Sequence, residues 1–356
     1  MPLSGFKEKL FQQYLIWICR SARLKRHLRA VLPSAPRAPL SDNPDRRKIR
    51  VAALQLELNL FKNPLDYADA MHHHVQKAAV AGAQIVAFPE YNNLPLLGLL
   101  PGIEKMEKSY RNQEENDNQG GDAGSDISLA EVFRYMSPAV QPMIDTIFSC
   151  LAAAYGLYIM AGSYTLADRS SVVNRAFLYG PDGKLIGSQD KVHLLPVEAE
   201  WNLKRGRSFN VYKTAVGNLA LPICMDATYY ETFRVLEQEN AEIVLLPIAN
   251  QEAYNYWLAL RGIWPRVQES VLYGVKSAHV GSIAGLTFSG RAGIFAPLEL
   301  TPNGDGVLAE VESFDREAIA MADLDLDALQ ELRRDHPWRD SNPALYSRYP
   351  YESRQE

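Results

Sequence analysis

Three side chains with acid–base or nucleophilic potential each lie just after a predicted strand. Glu90 follows the letters IVAFP, Lys191 lies within QDKVHLLP, and Cys224 ends the apolar run LALPIC. Active sites of α/β proteins form at the carboxyl ends of strands, so the three could meet there. A free thiol has a pKa near ~8.5 and is mostly protonated at neutral pH, so Cys224 would need a neighbouring base to act as a nucleophile. Taken singly, each residue also has a structural explanation: a solvated Glu, a surface Lys and a core Cys.

The elements that must position these residues are predicted from hydrophobic periodicity. Apolar runs predict strands over 49–56, 84–88, 157–162, 172–179, 185–188 and 243–247, a strand that ends at Cys224, two strands that frame 277–289, and a last strand over 318–324. Helices are predicted over 63–81 and 138–155 and from about Tyr230. The polar segment 104–127 is predicted to be an exposed loop or lid. This alternation, without an internal repeat, predicts one α/β domain.

Composition narrows the class of protein. The 356 residues have 47% hydrophobic and 22% charged side chains and a net charge of −5, which is typical of a globular protein. No apolar run approaches the ~20 residues that a membrane-spanning helix requires. Three cysteines do not make a disulfide framework, and their odd number favours a reducing compartment, so we expect a cytoplasmic protein.

Charge and spacing exclude two kinds of partner. The first 50 residues contain 12 Lys and Arg against 3 acidic residues, whereas the remaining 306 contain 25 against 39. Such an acidic body argues against nucleic-acid binding. The tract His72-His-His74 is not a metal site, because neighbouring side chains on a helix point about 100° apart, and no Cys pair has zinc-ligand spacing. We therefore predict no metal, no other cofactor and no nucleic acid.

Taken together, the three reactive residues resemble those of the nitrilase superfamily of carbon–nitrogen hydrolases. Phe88-Pro-Glu90 matches its Glu signature, Lys191-Val-His-Leu-Leu-Pro its Lys signature, and Cys224-Met-Asp226 its nucleophile segment. Other matching positions are Gly162-Ser163, Asn174, Pro181-Asp-Gly183, Glu231, Arg234 and Arg266-Val-Gln-Glu269, whereas Tyr230 stands where the family usually has Pro. The resemblance covers roughly residues 49–330. It implies a four-layer α-β-β-α sandwich with the site at the sheet ends, and at least a homodimer.

The resemblance implies a Glu-Lys-Cys catalytic triad, and the residue chemistry agrees with it. Glu90 can take the proton of Cys224, pass it to the leaving amine and then activate a water against the thioester. Lys191 is a compact cation suited to the oxyanion of the tetrahedral intermediate. The backbone N–H of Met225, next to the nucleophile, is a candidate second donor. Asp226 is expected, with Glu231 and Arg234, to anchor the nucleophile turn and its helix.

A second active-site Glu is frequent in this family a little after the Lys. Glu198 and Glu200 are both candidates, and we favour Glu200, which lies nearer the following glycine. Our candidates for contact with the substrate are Tyr91, Asn250 and Tyr254.

Four parts are predicted along the chain. They are a basic amphipathic N-terminal helix at 1–32, a Pro-rich linker at 33–47, the carbon–nitrogen hydrolase domain at 48–330, and a C-terminal tail at 331–356 that could pack on a partner subunit. The helical pattern covers 5–32, where Leu10, Trp17, Leu24 and Val31 recur every seven residues. Three interpretations of this helix stay open: it packs on the acidic body or a second subunit, it lies on an anionic membrane surface, or it is a cleaved targeting segment.

The residues after the nucleophile distinguish branches of the family. Cys-Trp-Glu is typical of true nitrilases and Cys-x-Asp of amidases and carbamoylases, so Met225-Asp226 favours hydrolysis of a small amide or N-carbamoyl amine. Acyl transfer from the thioester to an amine is an alternative, as in the lipoprotein N-acyltransferase branch, although that branch has transmembrane helices. Nitrile hydrolysis and a non-catalytic interaction protein of the same fold are further alternatives.

Overall fold

The computed structural model describes residues 5–33, 48–103, 129–169, 171–283 and 285–335. The helices are α1 (Gly5–Ile18), α2 (Ser21–Val31), α3 (Pro64–Val80), α4 (Leu129–Tyr155), α5 (Pro196–Glu200), α6 (Tyr230–Gln238), α7 (Tyr256–Arg261), α8 (Trp264–Ser270) and α9 (Leu326–Asp335). The strands are β1 (Lys48–Glu57), β2 (Ile85–Ala87), β3 (Tyr158–Asp168), β4 (Ser171–Tyr179), β5 (Leu185–Asp190), β6 (Val211–Thr214), β7 (Gly217–Ala220), β8 (Ile243–Ile248), β9 (Tyr273–Ile283), β10 (Leu286–Phe288), β11 (Gly293–Phe295), β12 (Val307–Glu310) and β13 (Ala318–Asp325). The predicted lid, most of the predicted linker and the tail beyond Asp335 lie outside the described residues.

Parallel pairing of the central strands brings their carboxyl ends to one edge. The strand order is β5-β4-β3-β2-β1-β9-β8-β7-β6, and β1, β2, β3, β7, β8 and β9 pair in parallel along it. β13 runs antiparallel along most of β1, so that β1 meets β9 through its last three residues. The sheet is therefore joined at a narrow seam, and its two halves can face each other.

Apolar side chains fill the space between these two halves. Because side chains alternate along a strand, Ile49, Val51 and Ala53 of β1 share one face and lie in a core with Tyr273 and Val275 of β9. The outer face of the β1 half packs against helices α1 to α4, and the outer face of the β8–β9 half packs against α6 and α8. The layers are thus α-β-β-α, and the predicted fold class is confirmed.

Helix α4 begins earlier than predicted. The sequence pattern predicts a helix from 138, because a proline lacks the backbone N–H and is tolerated best at a helix start. In the structure the helix begins at Leu129, with Pro138 and Pro142 inside it. Phe133 and Met136, in the added turns, are buried in the same core as the rest of the helix. Tertiary packing thus carries the helix across both prolines.

The N-terminal segment forms two helices instead of the single helix predicted over 5–32. The chain turns between Ile18 and Ser21, so the seven-residue pattern does not describe one continuous face. Leu10 and Trp17 are 62% and 54% exposed, whereas Leu24 is fully buried.

Both N-terminal helices pack on the body of the same chain. Their buried side chains belong to the core that also contains α3 and α4, and they are Leu15, Ile18, Leu24 and Leu28. Cys19, in the turn between the two helices, is buried in the same core. Gln12 donates to the carbonyl oxygen of Tyr135, and Thr146 to the hydroxyl of Ser21. Within the described ranges, no helix has both the length and the apolar character needed to cross a membrane.

Candidate active site

Glu90 and Lys191 form a buried ion pair at the carboxyl edge of the sheet. Glu90 follows β2, Lys191 follows β5, and the Lys191 Nζ to Glu90 Oε1 distance is 2.8 Å. Neither side chain is more than 1% exposed. Asn174 of β4 also donates to Glu90 Oε1, at 2.9 Å, whereas Glu90 Oε2 has no hydrogen-bond partner among the described residues. One carboxylate oxygen is therefore held in place, and the other is available to accept a proton.

Glu198, and not the favoured Glu200, lies in this cluster. Lys191 Nζ donates to Glu198 Oε1 at 2.7 Å, and the Tyr91 hydroxyl donates to the same oxygen. Glu198 Oε2 accepts from the backbone N–H of Leu195 at 2.7 Å. Side chains two positions apart on a helix point about 200° apart, so only one of Glu198 and Glu200 can face the site. Glu200 is the exposed one.

Cys224 lies on a sharp turn, not at the end of a strand as predicted. β7 ends at Ala220, and a 3-10 turn spans Cys224–Thr228. The backbone φ of Cys224 is +44°, a left-handed value that costs a non-glycine residue about 1–3 kcal/mol. Its thiol donates to Asn250 Oδ1, with Sγ and Oδ1 3.7 Å apart. The turn presents the thiol at the sheet edge.

Asp226 connects this turn to the segment that contains Lys191. Its fully buried carboxylate accepts from the backbone N–H of Ile223 at 2.9 Å, of Val192 at 3.1 Å and of His193 at 2.7 Å. Backbone donors on both sides of one carboxylate fix the Lys191 and Cys224 segments relative to each other. The anchoring expected of Asp226 is present, whereas Glu231 is an exposed residue on α6.

The segment around Glu90 is held by the start of β3. Gly162 has a φ of +80°, and a Cβ there would lie 2.1 Å from the carbonyl oxygen of Pro89, so no other residue fits. This close approach lets Ser163 N–H donate to that oxygen at 3.2 Å and Ser163 Oγ accept from Tyr91 N–H at 3.3 Å. Tyr91 itself has a φ of +55°.

Burial and neighbouring charges set the protonation of the cluster. Burial would lower the pKa of Lys191, but the carboxylates of Glu90 and Glu198 outweigh it and raise that pKa. Burial raises the pKa of Glu90, and the charge of Lys191 and the Cys224 thiol offset part of that rise. The pKa of Cys224 is raised well above its usual value by burial and by the charge of Glu90. Cys224 is therefore a resting thiol beside a carboxylate of raised pKa, as general-base activation requires.

A cavity of 190 Å³ opens onto Cys224. Its lining includes the three predicted substrate contacts, Tyr91, Asn250 and Tyr254. Two of the three predicted supporting residues, Met225 and Glu198, also line it, whereas Glu200 does not. Sequence reasoning missed Lys276 and Ser289, which line the same cavity. The signal for Lys276 was a single charged residue inside the apolar strand YGVKSAHVG.

The His72-His-His74 tract lies elsewhere, on α3. His72 Nε2 contacts the Tyr155 hydroxyl at 2.7 Å, and His74 Nε2 lies 3.8 Å from Glu317. In the part of the chain that the structure describes, no group of three or more His, Cys, Asp or Glu side chains is arranged to hold a metal ion.

Comparison with known proteins gives the family to which this fold and this cluster belong. Residues 50–334 match the family model described as carbon-nitrogen hydrolase. The chain belongs to this family, and the predicted membership of the nitrilase superfamily is confirmed.

Curated relatives agree with this assignment. Probable hydrolase YhcX of Bacillus subtilis (strain 168) is 24% identical over 292 residues, which are 80% of this chain and 52% of YhcX. The chain therefore spans about half the length of that relative. Omega-amidase NIT2 of Homo sapiens is 24% identical over 309 residues, which are 84% of this chain and 96% of NIT2.

Solved structures share the fold. A variant of the amidase from Nesterenkonia sp. AN1 in complex with butyramide has a TM-score of 0.57 at 17% identity, over 85% of this chain and 97% of that one. Another variant of that amidase, which shows covalent addition of the acetamide moiety of fluoroacetamide at its active-site cysteine, has a TM-score of 0.57 at 20% identity, over 85% of this chain and 96% of that one.

Proposed function

We propose that the protein hydrolyses the carbon–nitrogen bond of a small amide or N-carbamoyl amine through a thioester on Cys224. The observation that carries this proposal is the buried cluster of Glu90, Lys191 and Glu198 at the cavity that Cys224 lines. The Met225-Asp226 pair after the nucleophile favours an amide over a nitrile. Two relatives named as an omega-amidase and as an amidase in complex with butyramide support the same choice.

Acylation begins with proton transfer from the Cys224 thiol to Glu90 Oε2. Sγ then attacks the carbonyl carbon, and the oxyanion is stabilised by the ammonium of Lys191, with the backbone N–H of Met225 as a second donor. When the carbon–nitrogen bond breaks, Glu90 returns the proton to the leaving amine. The acyl group is left on Sγ as a thioester.

Deacylation reuses the same groups. Glu90 takes a proton from a water molecule, whose oxygen attacks the thioester carbon, and the same donors stabilise the second oxyanion. The carbon–sulfur bond breaks and the proton passes to Sγ, which restores the thiol. Glu198 acts through Lys191: it accepts one hydrogen bond from Nζ and thereby directs the ammonium, so it is a positioning residue.

The assay that tests this proposal is a substrate screen with detection of released ammonia or amine. Small primary amides, N-carbamoyl amines and nitriles are compared, with the Cys224→Ala variant as the matched control. Turnover of an amide or N-carbamoyl amine by the wild-type enzyme alone supports the proposal. Turnover of nitriles only, transfer of the acyl group to an added amine without hydrolysis, or equal turnover by Cys224→Ala would contradict it.

The proposal includes a homodimer formed near the cavity mouth. Large apolar side chains are exposed on α6 and α7, and among them Trp257 is 77%, Tyr230 44% and Val235 40% exposed. Exposed apolar patches of this kind are typical of interaction sites. Light scattering on a size-exclusion column should give twice the mass of the chain, and Trp257→Glu should shift it to the monomer mass.

The N-terminal helices support a second partner proposal, an anionic membrane surface. Leu10, Tyr14 and Trp17 are exposed on one face of α1, and the exposed side of α2 carries Lys25 and Arg26. An apolar stripe beside basic residues favours peripheral binding to acidic lipid. Sedimentation with phosphatidylserine vesicles should bring the protein down with the vesicles at low salt and leave it in the supernatant at high salt.

The predicted location is the cytoplasm, since Cys224 must stay a free thiol.

A further inference from the structure

A buried asparagine on β4 lies beside the ion pair of the active site. Asn174 is fully buried, and its backbone carbonyl accepts from the N–H of Lys191 at 2.9 Å. Its side-chain amide donates to Glu90 Oε1, also at 2.9 Å. One residue of β4 therefore contacts the carboxylate of the site through its side chain and the lysine segment through its backbone.

The place of Asn174 within β4 favours an apolar side chain. Side chains alternate along a strand, and Ala176 and Leu178, on the same face, lie in the core between the two halves of the sheet. Asn174 Oδ1 is buried and has no hydrogen-bond partner in the part of the chain that the structure describes, which is unfavourable. An aliphatic side chain would avoid this cost. The bond from Nδ2 to Glu90 is the interaction that offsets it.

The two oxygens of the Glu90 carboxylate are held differently. Oε1 accepts from Asn174 Nδ2 and from Lys191 Nζ, at 2.9 and 2.8 Å. Oε2 has neither partner, and the Cys224 thiol lies close enough to this carboxyl group to offset part of the rise that burial causes in its pKa. The two donors on Oε1 therefore leave Oε2 for the proton of the thiol.

Without Asn174, the ammonium of Lys191 would be the remaining donor to Oε1. An ammonium is a compact charge whose three donors rotate, so it does not distinguish the two oxygens of a carboxylate. The terminal torsion of a glutamate is broad, so the carboxylate could turn and bring both oxygens to Nζ, away from the thiol. An amide donor at a fixed place on a strand prevents this turn and adds no charge beside Glu90.

We propose that Asn174 is a positioning residue for the base: it holds Oε1 of Glu90 so that Oε2 faces the Cys224 thiol. This inference rests on the proposed function, in which Glu90 is the general base. A neutral donor suits this role, because a second cation would stabilise the carboxylate and make it a weaker acceptor of the thiol proton. Asn174 does not line the cavity, so it acts on the reaction only through Glu90.

The kinetic test compares two variants that have nearly the shape of asparagine. Asn174→Leu removes the donor, and kcat should fall by about 10- to 100-fold at pH 7 with little change in KM, the range expected for one hydrogen bond to a charged group. Asn174→Asp replaces the donor with a carboxylate and should lose at least as much. In both variants the acid limb of the kcat/KM profile should move to higher pH, because the ionised form of Glu90 loses a donor.

A second buried asparagine provides the matched control. Asn93 is 2% exposed and exchanges hydrogen bonds with the backbone of Thr165, the register partner of Asn174 on β3. Asn93→Leu should lower the free energy of unfolding but leave the acid limb at its wild-type pH. An equal displacement of the limb in Asn93→Leu, or an unmoved limb in both Asn174 variants, would show that Asn174 is only a structural residue.

Crystal structures of the wild-type enzyme and Asn174→Leu separate this inference from the proposed function, because they require no turnover. The wild-type structure should show one oxygen of Glu90 directed at Cys224 Sγ. In Asn174→Leu the carboxylate should turn toward Lys191 Nζ, and its distance from Sγ should increase. An unchanged carboxylate would overturn the positioning role. If the carboxylate turns but the wild-type enzyme hydrolyses no amide, the proposed reaction fails and the positioning role stands.

Discussion

Lys191 and Lys276 are both almost fully buried, but their electrostatic environments are opposite. Lys191 donates to two carboxylates, at 2.8 and 2.7 Å, and its pKa is raised. Lys276 forms no ion pair within the described residues, and burial lowers its pKa to about 8. The comparison shows that the pKa of a buried lysine depends on its charged partners as well as on its burial.

The same difference separates two uses of a buried cation. An ammonium held by two fixed carboxylates has a fixed position, and this is what stabilisation of a transient oxyanion requires. An ammonium without a fixed partner retains its capacity to bind an anion that arrives from solution. In our account Lys191 therefore serves the reaction itself.

The largest expected difference between the two lysines is in their contribution to stability. Lys191→Met leaves Glu90 and Glu198 buried without their cation, and we expect the free energy of unfolding to fall by about 3–5 kcal/mol. Lys276→Met replaces an unpaired buried charge with an apolar side chain of similar length, and it should leave stability equal or higher. Urea unfolding of both variants measures this. A larger loss for Lys276→Met would mean that Lys276 is already neutralised in the fold.

A smaller effect is expected from the carboxylates next to Lys191. Glu198→Gln removes one charged acceptor from Nζ, and kcat should fall by about 10- to 100-fold with little change in KM. Glu200→Gln, two residues away on the exposed side of α5, is the control and should retain wild-type kcat. Rate loss in Glu200→Gln with none in Glu198→Gln would return the supporting role to Glu200.

The sequence was most informative where function is concentrated in short signatures. Glu90, Lys191 and Cys224 each carry a local motif, and the three were predicted to meet although they are far apart along the chain. Their meeting depends on the parallel strand order, which the alternation of strands and helices already favours.

Orientation within an element was the information that the sequence lacked. Glu198 and Glu200 are two residues apart on one short helix, and only its packing against the Lys191 loop decides which side chain enters the site. At the N-terminus, the seven-residue repeat crosses a turn between α1 and α2, so residues of one predicted face have opposite burial: Leu24 is buried and Trp17 is exposed.

Lys276 was overlooked for a related reason. Its neighbours on β9 are apolar, and the sequence does not show that Glu310 is occupied by Arg291. An unpaired charge can be recognised only after every potential partner has been located in three dimensions.

The central claim, a thioester on Cys224 formed and resolved through Glu90, is tested most directly by intact-protein mass spectrometry of Glu90→Gln incubated with a turnover substrate. Without a base to activate water, the acyl group should remain on the enzyme, and peptide mapping should place it on the fragment that contains Cys224. Cys224→Ala should show neither the added mass nor turnover. An adduct on the fragments of Cys19 or Cys150, or full activity in Cys224→Ala, would contradict the account.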